Sequence, residues 1–130
     1  MSDRLTRRPG LGRQAESLAA DFLAAAGLRI VARNWCRRGH TTGELDIIAD
    51  DDGTCVFVEV RSRTGDQSGH PLETITPHKR ARVIHSARLY LDEEKPSATA
   101  YRFDVIAITF WPDRPPDLIH VPDAFQISGS

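Results

Sequence analysis

Residues 44–61 constrain this chain more than any other stretch. Two largely apolar runs, 44–49 and 54–61, flank the acidic segment Asp50-Asp51-Asp52-Gly53. Apolar and β-branched residues on either side of an Asp/Gly turn specify an antiparallel hairpin, because Asp and Gly tolerate the backbone a tight turn needs. Side chains alternate between faces along a strand, so turn length decides which residues share a side. With Asp51 and Asp52 as a two-residue turn, Ala49 pairs with Thr54, Asp46 pairs with Phe57, and Glu44 stands opposite Glu59. Glu44, Asp46, Glu59 and Arg61 then project from one side, and Leu45, Ile47, Val56, Val58 and Val60 from the other. One residue more or less in the turn moves Glu59 to the wrong face.

Around the hairpin the pattern is that of an α/β domain. Ala15, Leu18, Ala19, Phe22, Leu23 and Ala26 recur at helical spacing within 12–26, and Gly27 ends the run. A strand over 28–35 and a polar loop over 37–40 precede the hairpin. A long loop over 62–75, rich in Gly, Ser and Asp, follows it. Thr76 and Pro77 open a second helix with a hydroxyl cap and a proline at its first position. Its apolar stripe is Val83, Ile84, Ala87, Tyr90 and Leu91. A strand over 101–110 reads as buried on both faces, and after the prolines of 112–116 a short edge strand spans 118–121. The order α-β-β-β-α-β is a meander followed by a crossover helix that returns to the same sheet. One domain, 12–125, is expected between a disordered arm (1–11) and tail (126–130).

Composition narrows the function. At 130 residues, 40% hydrophobic and 27% charged, this is an ordinary globular chain. No apolar run nears the roughly 18 to 20 residues of a membrane span, and Met1 to Pro9 lacks a signal-peptide core. A cytoplasmic protein with no membrane partner is the expectation. Cys36 and Cys55 form no CxxC pair, and His40, His70, His78, His85 and His120 are scattered, so zinc is not indicated. No P-loop, GxSxG or GxGxxG is present. The net charge is −1, but residues 1–91 carry 14 basic against 11 acidic side chains. Four of those acids, Glu16, Glu44, Asp46 and Glu59, belong to the candidate cluster, and the remaining surface is basic enough to suit a polyanion.

Like charges on one sheet face repel, and a bound cation makes such a cluster favourable. Carboxylate oxygens are hard ligands suited to Mg²⁺ or Mn²⁺, which use one or two of them together with waters and substrate phosphates. Arg37, Arg38, Arg61, Arg63, Lys79, Arg80 and Arg82 lie in flanking segments as candidate phosphate contacts. The plainer alternative is a solvated hairpin whose acids pair with Arg61, Arg63 or Arg37. Gln67 and His70 lie in the long loop and can approach the cluster; Trp35 and Trp111 read as core.

Glu44-Leu45-Asp46 with Phe57-Val58-Glu59-Val60-Arg61 resembles the bipartite site of the PD-(D/E)XK nuclease superfamily. Further matches are Gly12 to Glu16, Asn34-Trp35, Gly43 to Ala49, Val56 to Arg63, the helix from Thr76 to Leu91 with Lys79, and Arg102 to Val105. Together they resemble the YraN-like bacterial proteins, grouped with Holliday-junction resolvase-like endonucleases. The resemblance implies a restriction-endonuclease-like core, a central mixed sheet flanked by helices. It implies Asp46 and Glu59 as ligands of Mg²⁺ or Mn²⁺, Glu16 as an acid presented from the first helix, and Glu44 as a supporting or alternative ligand. Arg61 falls where the superfamily has lysine; a guanidinium holds a phosphate or a water but cannot act as general base. Lys79 is a stand-in for that lysine. Asp104 matches too, but reads as a structural partner of Arg102 or Arg63. The implied activity is metal-dependent hydrolysis of nucleic-acid phosphodiesters, DNA foremost and branched or structured DNA among its forms, by a chain that can pair as a homodimer. The alternatives are a nucleic-acid-binding module that kept the fold and lost turnover, and a metal-independent interaction protein.

Overall fold

A computed structural model describes residues 10–40, 44–65, 69–70 and 75–126. The expected terminal disorder at 1–9 and 127–130, much of the long loop, and Gln67 lie outside the described residues. The elements are α1 (Leu11–Ala25), β1 (Arg29–Trp35), β2 (Leu45–Asp51), β3 (Thr54–Thr64), α2 (Pro77–Glu94), β4 (Ala100–Phe110) and β5 (Asp117–Phe125). They form one mixed sheet of order β1-β2-β3-β4-β5. Every neighbouring pair is antiparallel except β3 and β4, which run parallel and are joined over α2. Five strands and two helices in the order α-β-β-β-α-β-β agree with a restriction-endonuclease-like core.

Two apolar layers hold the sheet. On one face Ala15, Ala19 and Leu23 of α1 pack on Ile47, Val56, Val58, Ile106 and Ile108. On the other, Val83, Ala87 and Tyr90 of α2 pack on Ile48, Phe57 and Phe103. Each fully buried side chain of this size contributes about 1.5–3 kcal/mol. The helix ends follow the sequence. Thr76 Oγ1 accepts the Lys79 N–H at 3.2 Å with Pro77 next to it, and Gly27 takes φ 99° after α1.

Several expectations are corrected. The hairpin turn is Asp52-Gly53, with φ of 50° and 96°, and Asp51 pairs with Thr54. Both central residues of this turn need positive φ, which Asp-Gly supplies more readily than Asp-Asp. The register therefore moves by two from the expected one: Ala49 pairs with Val56 and Ile48 with Phe57. A shift of two preserves parity, so Glu59 stays off the α1-side core. β3 runs to Thr64, because it pairs with β4 as far as Phe110. β5 continues beyond 121 to Phe125, whose ring stacks on Phe103 at 5.1 Å. Pro122 disguised it, yet proline is at home in an edge strand. Leu11, placed in the arm, is the first residue of α1 and is buried. Leu18 and Phe22 stay largely exposed, and Trp111 lies at the margin under the Arg114 guanidinium rather than in either core. No described helix is long and apolar enough to cross a membrane.

Candidate active site

Strand alternation breaks at the mouth of β2, and the break creates the site. Leu45 joins the α2-side core instead of following Ile47 toward α1. The β2–β3 ladder has its last pair at Ile47 and Val58. Beyond it the Asp46 carboxylate takes the place of a strand carbonyl: Oδ2 accepts the Val60 N–H at 2.9 Å. Asp46 thus lies at the sheet rim, lining a cavity of about 390 Å³ with Arg13, Glu16, Asn34, Val60 and Ser62.

Glu59 is 7% exposed and stands opposite Asp46, one step beyond the Ile47–Val58 pair. Two carboxyl groups placed side by side disfavour ionisation of each other. Burial first, and then the Asp46 charge, raise the Glu59 pKa to about 7; the Arg61 and Arg82 cations pull the other way. Asp46 is raised as well, chiefly by burial, against the Val60 N–H and the same two arginines. Both shifts run the same way, toward keeping a proton on the pair. Arg61 Nη1 lies 3.4 Å from Glu59 Oε2, on the same strand and face.

The other two predicted acids have separate fates. Glu44 is turned into the loop after β1, where Oε1 accepts the Arg37 N–H at 3.0 Å and Oε2 lies 3.3 Å from Arg37 Nε. It does not face Glu59. Glu16, only 8% exposed, projects from α1 into the Asp46 cavity, with Oε1 held by Asn34 Nδ2 at 2.7 Å and Arg33 Nη2 at 3.5 Å. Burial and the Asp46 charge raise its pKa, and its two donors oppose that. Among the described residues no group of three or more His, Cys, Asp or Glu is arranged to hold a metal ion. Of the four expected acids, Asp46 and Glu59 stand opposite each other, Glu16 lies near Asp46, and Glu44 is turned away.

The predicted cations divide likewise. Arg61 and Arg82 act on both acids of the pair, one from β3 and the other from α2. Arg37 is engaged by Glu44, the Arg38 N–H by Glu93 at 3.2 Å, and Arg63 Nη1 by the Gly69 carbonyl at 2.8 Å. Lys79 and Arg80 lie in the first turn of α2, where the Lys79 backbone serves the cap. Asp104 pairs with Arg102, as the structural reading expects. Asn34 and Arg33, which hold Glu16, were not picked out as site residues from sequence. The available signal was an asparagine at a strand end, where it enters left-handed backbone more readily than most residues.

The donor set fits a divalent hard cation. Carboxylate oxygens are hard donors, and Mg²⁺ or Mn²⁺ uses one or two of them when waters and phosphate complete the shell.

The family model described as "Uncharacterised protein family UPF0102" matches residues 15–108. A UPF0102 protein of Chlorobium limicola is 47% identical over 98 residues, covering 75% of this chain and 74% of its own. One from Mycolicibacterium gilvum is 40% identical over 121 residues, 91% and 95% of the two chains. One from Nocardia farcinica is 42% identical over 123 residues, 94% of each. The chain therefore belongs to the UPF0102 family, itself part of the PD-(D/E)XK-like nuclease superfamily.

Proposed function

We propose that this protein is a divalent-metal-dependent endonuclease acting on nucleic-acid phosphodiesters, with DNA, branched or otherwise structured, as the favoured substrate. The observation that carries the reading is the placement of Asp46 opposite Glu59 at the rim of the sheet, with Asp46 lining a cavity and Arg61 3.4 Å from Glu59. A buried acid set beside a second, half-buried one is favourable where a cation neutralises them. When bound, Mg²⁺ or Mn²⁺ lowers the pKa of a water and offsets charge on a phosphate. Asp46 and Glu59 are the residues to hold it. Arg61 and Arg82 bind and orient the phosphate as permanent cations and take up no proton. Glu16 orients water in the cavity beside Asp46, and Lys79 is the remaining candidate for the superfamily lysine. Arg37, Arg38, Arg63 and Arg80 add sequence-independent backbone contacts, which weaken as salt rises.

Cleavage of branched, nicked, single-stranded and linear DNA in Mn²⁺ tests this. Wild type is expected to cut at least one of them, and Asp46→Ala and Glu59→Ala to abolish cutting. A second reading, a binding module without turnover, is favoured by Arg61, which cannot replace a lysine base and already contacts Glu59. No cutting, with binding that survives both substitutions, would select it. Failure to bind DNA or RNA at low salt would exclude both.

A further inference from the structure

We infer that Asn34 is a positioning residue of this site, its carboxamide fixing the Glu16 carboxylate beside Asp46. This rests on the two-carboxylate reading above. Asn34 is the penultimate residue of β1 and takes a left-handed backbone, φ 53°. Successive residues of a regular strand point to opposite faces. Here Arg33 and Asn34, adjacent in sequence, both reach Glu16 Oε1, at 3.5 and 2.7 Å. The left-handed turn at position 34 breaks the alternation that would otherwise separate them.

The two contacts are unequal. Arg33 is long, and its side chain is 39% exposed, so solvent screens its charge. Asn34 is exposed as well, but it is short, its bond is 2.7 Å against 3.5 Å, and it lines the same cavity as Glu16 and Asp46. A brief side chain on a fixed backbone leaves the acceptor little freedom. Glu16 in turn lies on the buried face of α1 between Ala15 and Ala19, so helix packing limits its own rotamers. A strand end and a helix eighteen residues apart in sequence thereby direct one carboxylate oxygen.

The test is Mn²⁺ affinity of the full chain, by calorimetry, for wild type, Asn34→Gly, Asn34→Asp, Glu16→Gln and the Asn34→Gly/Glu16→Gln double variant, each checked for folding by circular dichroism. Glycine keeps the left-handed backbone and deletes the amide; aspartate keeps the shape and deletes the donor. Both are expected to weaken Mn²⁺ by roughly ten-fold, the effect typical of outer partners of ligating groups. Glu16→Gln should do likewise, and the double variant should be no weaker than Glu16→Gln alone, because one role cannot be lost twice. Wild-type affinity in Asn34→Gly and Asn34→Asp, or losses that multiply in the double variant, would overturn the positioning role alone. An effect of Asn34→Gly without any effect of Glu16→Gln would do the same. No Mn²⁺ uptake by wild type would overturn the two-carboxylate reading and this inference with it.

Discussion

Asp104 in β4 and Glu59 in β3 are both carboxylates buried in the same sheet, yet they are supplied with partners very differently. Asp104 is 0% exposed and accepts Arg102 Nε at 2.9 Å, Arg102 Nη2 at 3.3 Å and the Asp123 N–H at 2.9 Å. The His120 ring Nε2 lies 2.9 Å from Oδ2, the oxygen that also accepts Arg102 Nη2. Arg102 passes the connection on to Asp51 at the turn of the hairpin. Glu59 has one guanidinium at 3.4 Å and otherwise a second carboxyl, Asp46. The first arrangement ties β4, β5 and the β2–β3 turn together. The second leaves two acids side by side with few donors, and both are raised toward the protonated form. Burial of a carboxylate is thus not in itself a sign of function; what separates the two is whether the fold supplies donors enough to keep the charge.

The sharpest way to break this contrast is Asp104→Ala. It strands Arg102, His120 and the Asp123 N–H without their acceptor, and should cost about 3–5 kcal/mol in urea unfolding, as for a broken buried pair. A loss under about 1 kcal/mol would show that Asp104 does not pin the strands.

Glu59→Gln should do the reverse. The folded carboxyl is raised to about 7 from its ordinary 4.5, so between those values the folded state holds a proton that the unfolded state has released. Stability of the wild type therefore falls as pH rises through this window, and the loss is complete above it. Glutamine mimics the protonated acid and is exempt. Glu59→Gln should exceed wild type at pH 8 by on the order of 3 kcal/mol and match it near pH 4, while losing Mn²⁺ binding. Equal stability at pH 8 would remove the frustration on which the contrast rests.

Arg61→Met is the smallest expected effect. Arg61 is part-exposed, so its loss should cost under about 1 kcal/mol at pH 8 and less at pH 4, where Glu59 is protonated. A greater loss at pH 4 than at pH 8 would mean that Arg61 acts by packing rather than by charge.

Much of the fold was legible because its signals are local. The helical stripe Val83, Ile84, Ala87, Tyr90 and Leu91 lies wholly in the α2-side core, and the cap at Thr76 is where the hydroxyl and proline put it. The parity of Glu59 was legible too, since a side-chain period of two survives a register error of two. The register itself could have been read from Asp52-Gly53, the turn pair that accepts positive φ at both positions. β5 was under-read because its hold on β4 comes from partners far away in sequence, Phe103 for Phe125 and Asp104 for Asp123.

From the sequence alone came the hairpin, the two helices that cover its sheet, and the presence of Asp46 and Glu59 on neighbouring strands. All of these follow from periodicity and turn chemistry over short separations. Which acid meets which partner was settled only in three dimensions. Glu44 is consumed by Arg37, Glu16 by Asn34 and Arg33, and Asp104 by Arg102 and His120, while Asp46 keeps the Val60 N–H and Glu59 keeps Arg61. A carboxylate's state depends on donors within a few ångströms, and here most of those donors are brought in from other elements of the chain.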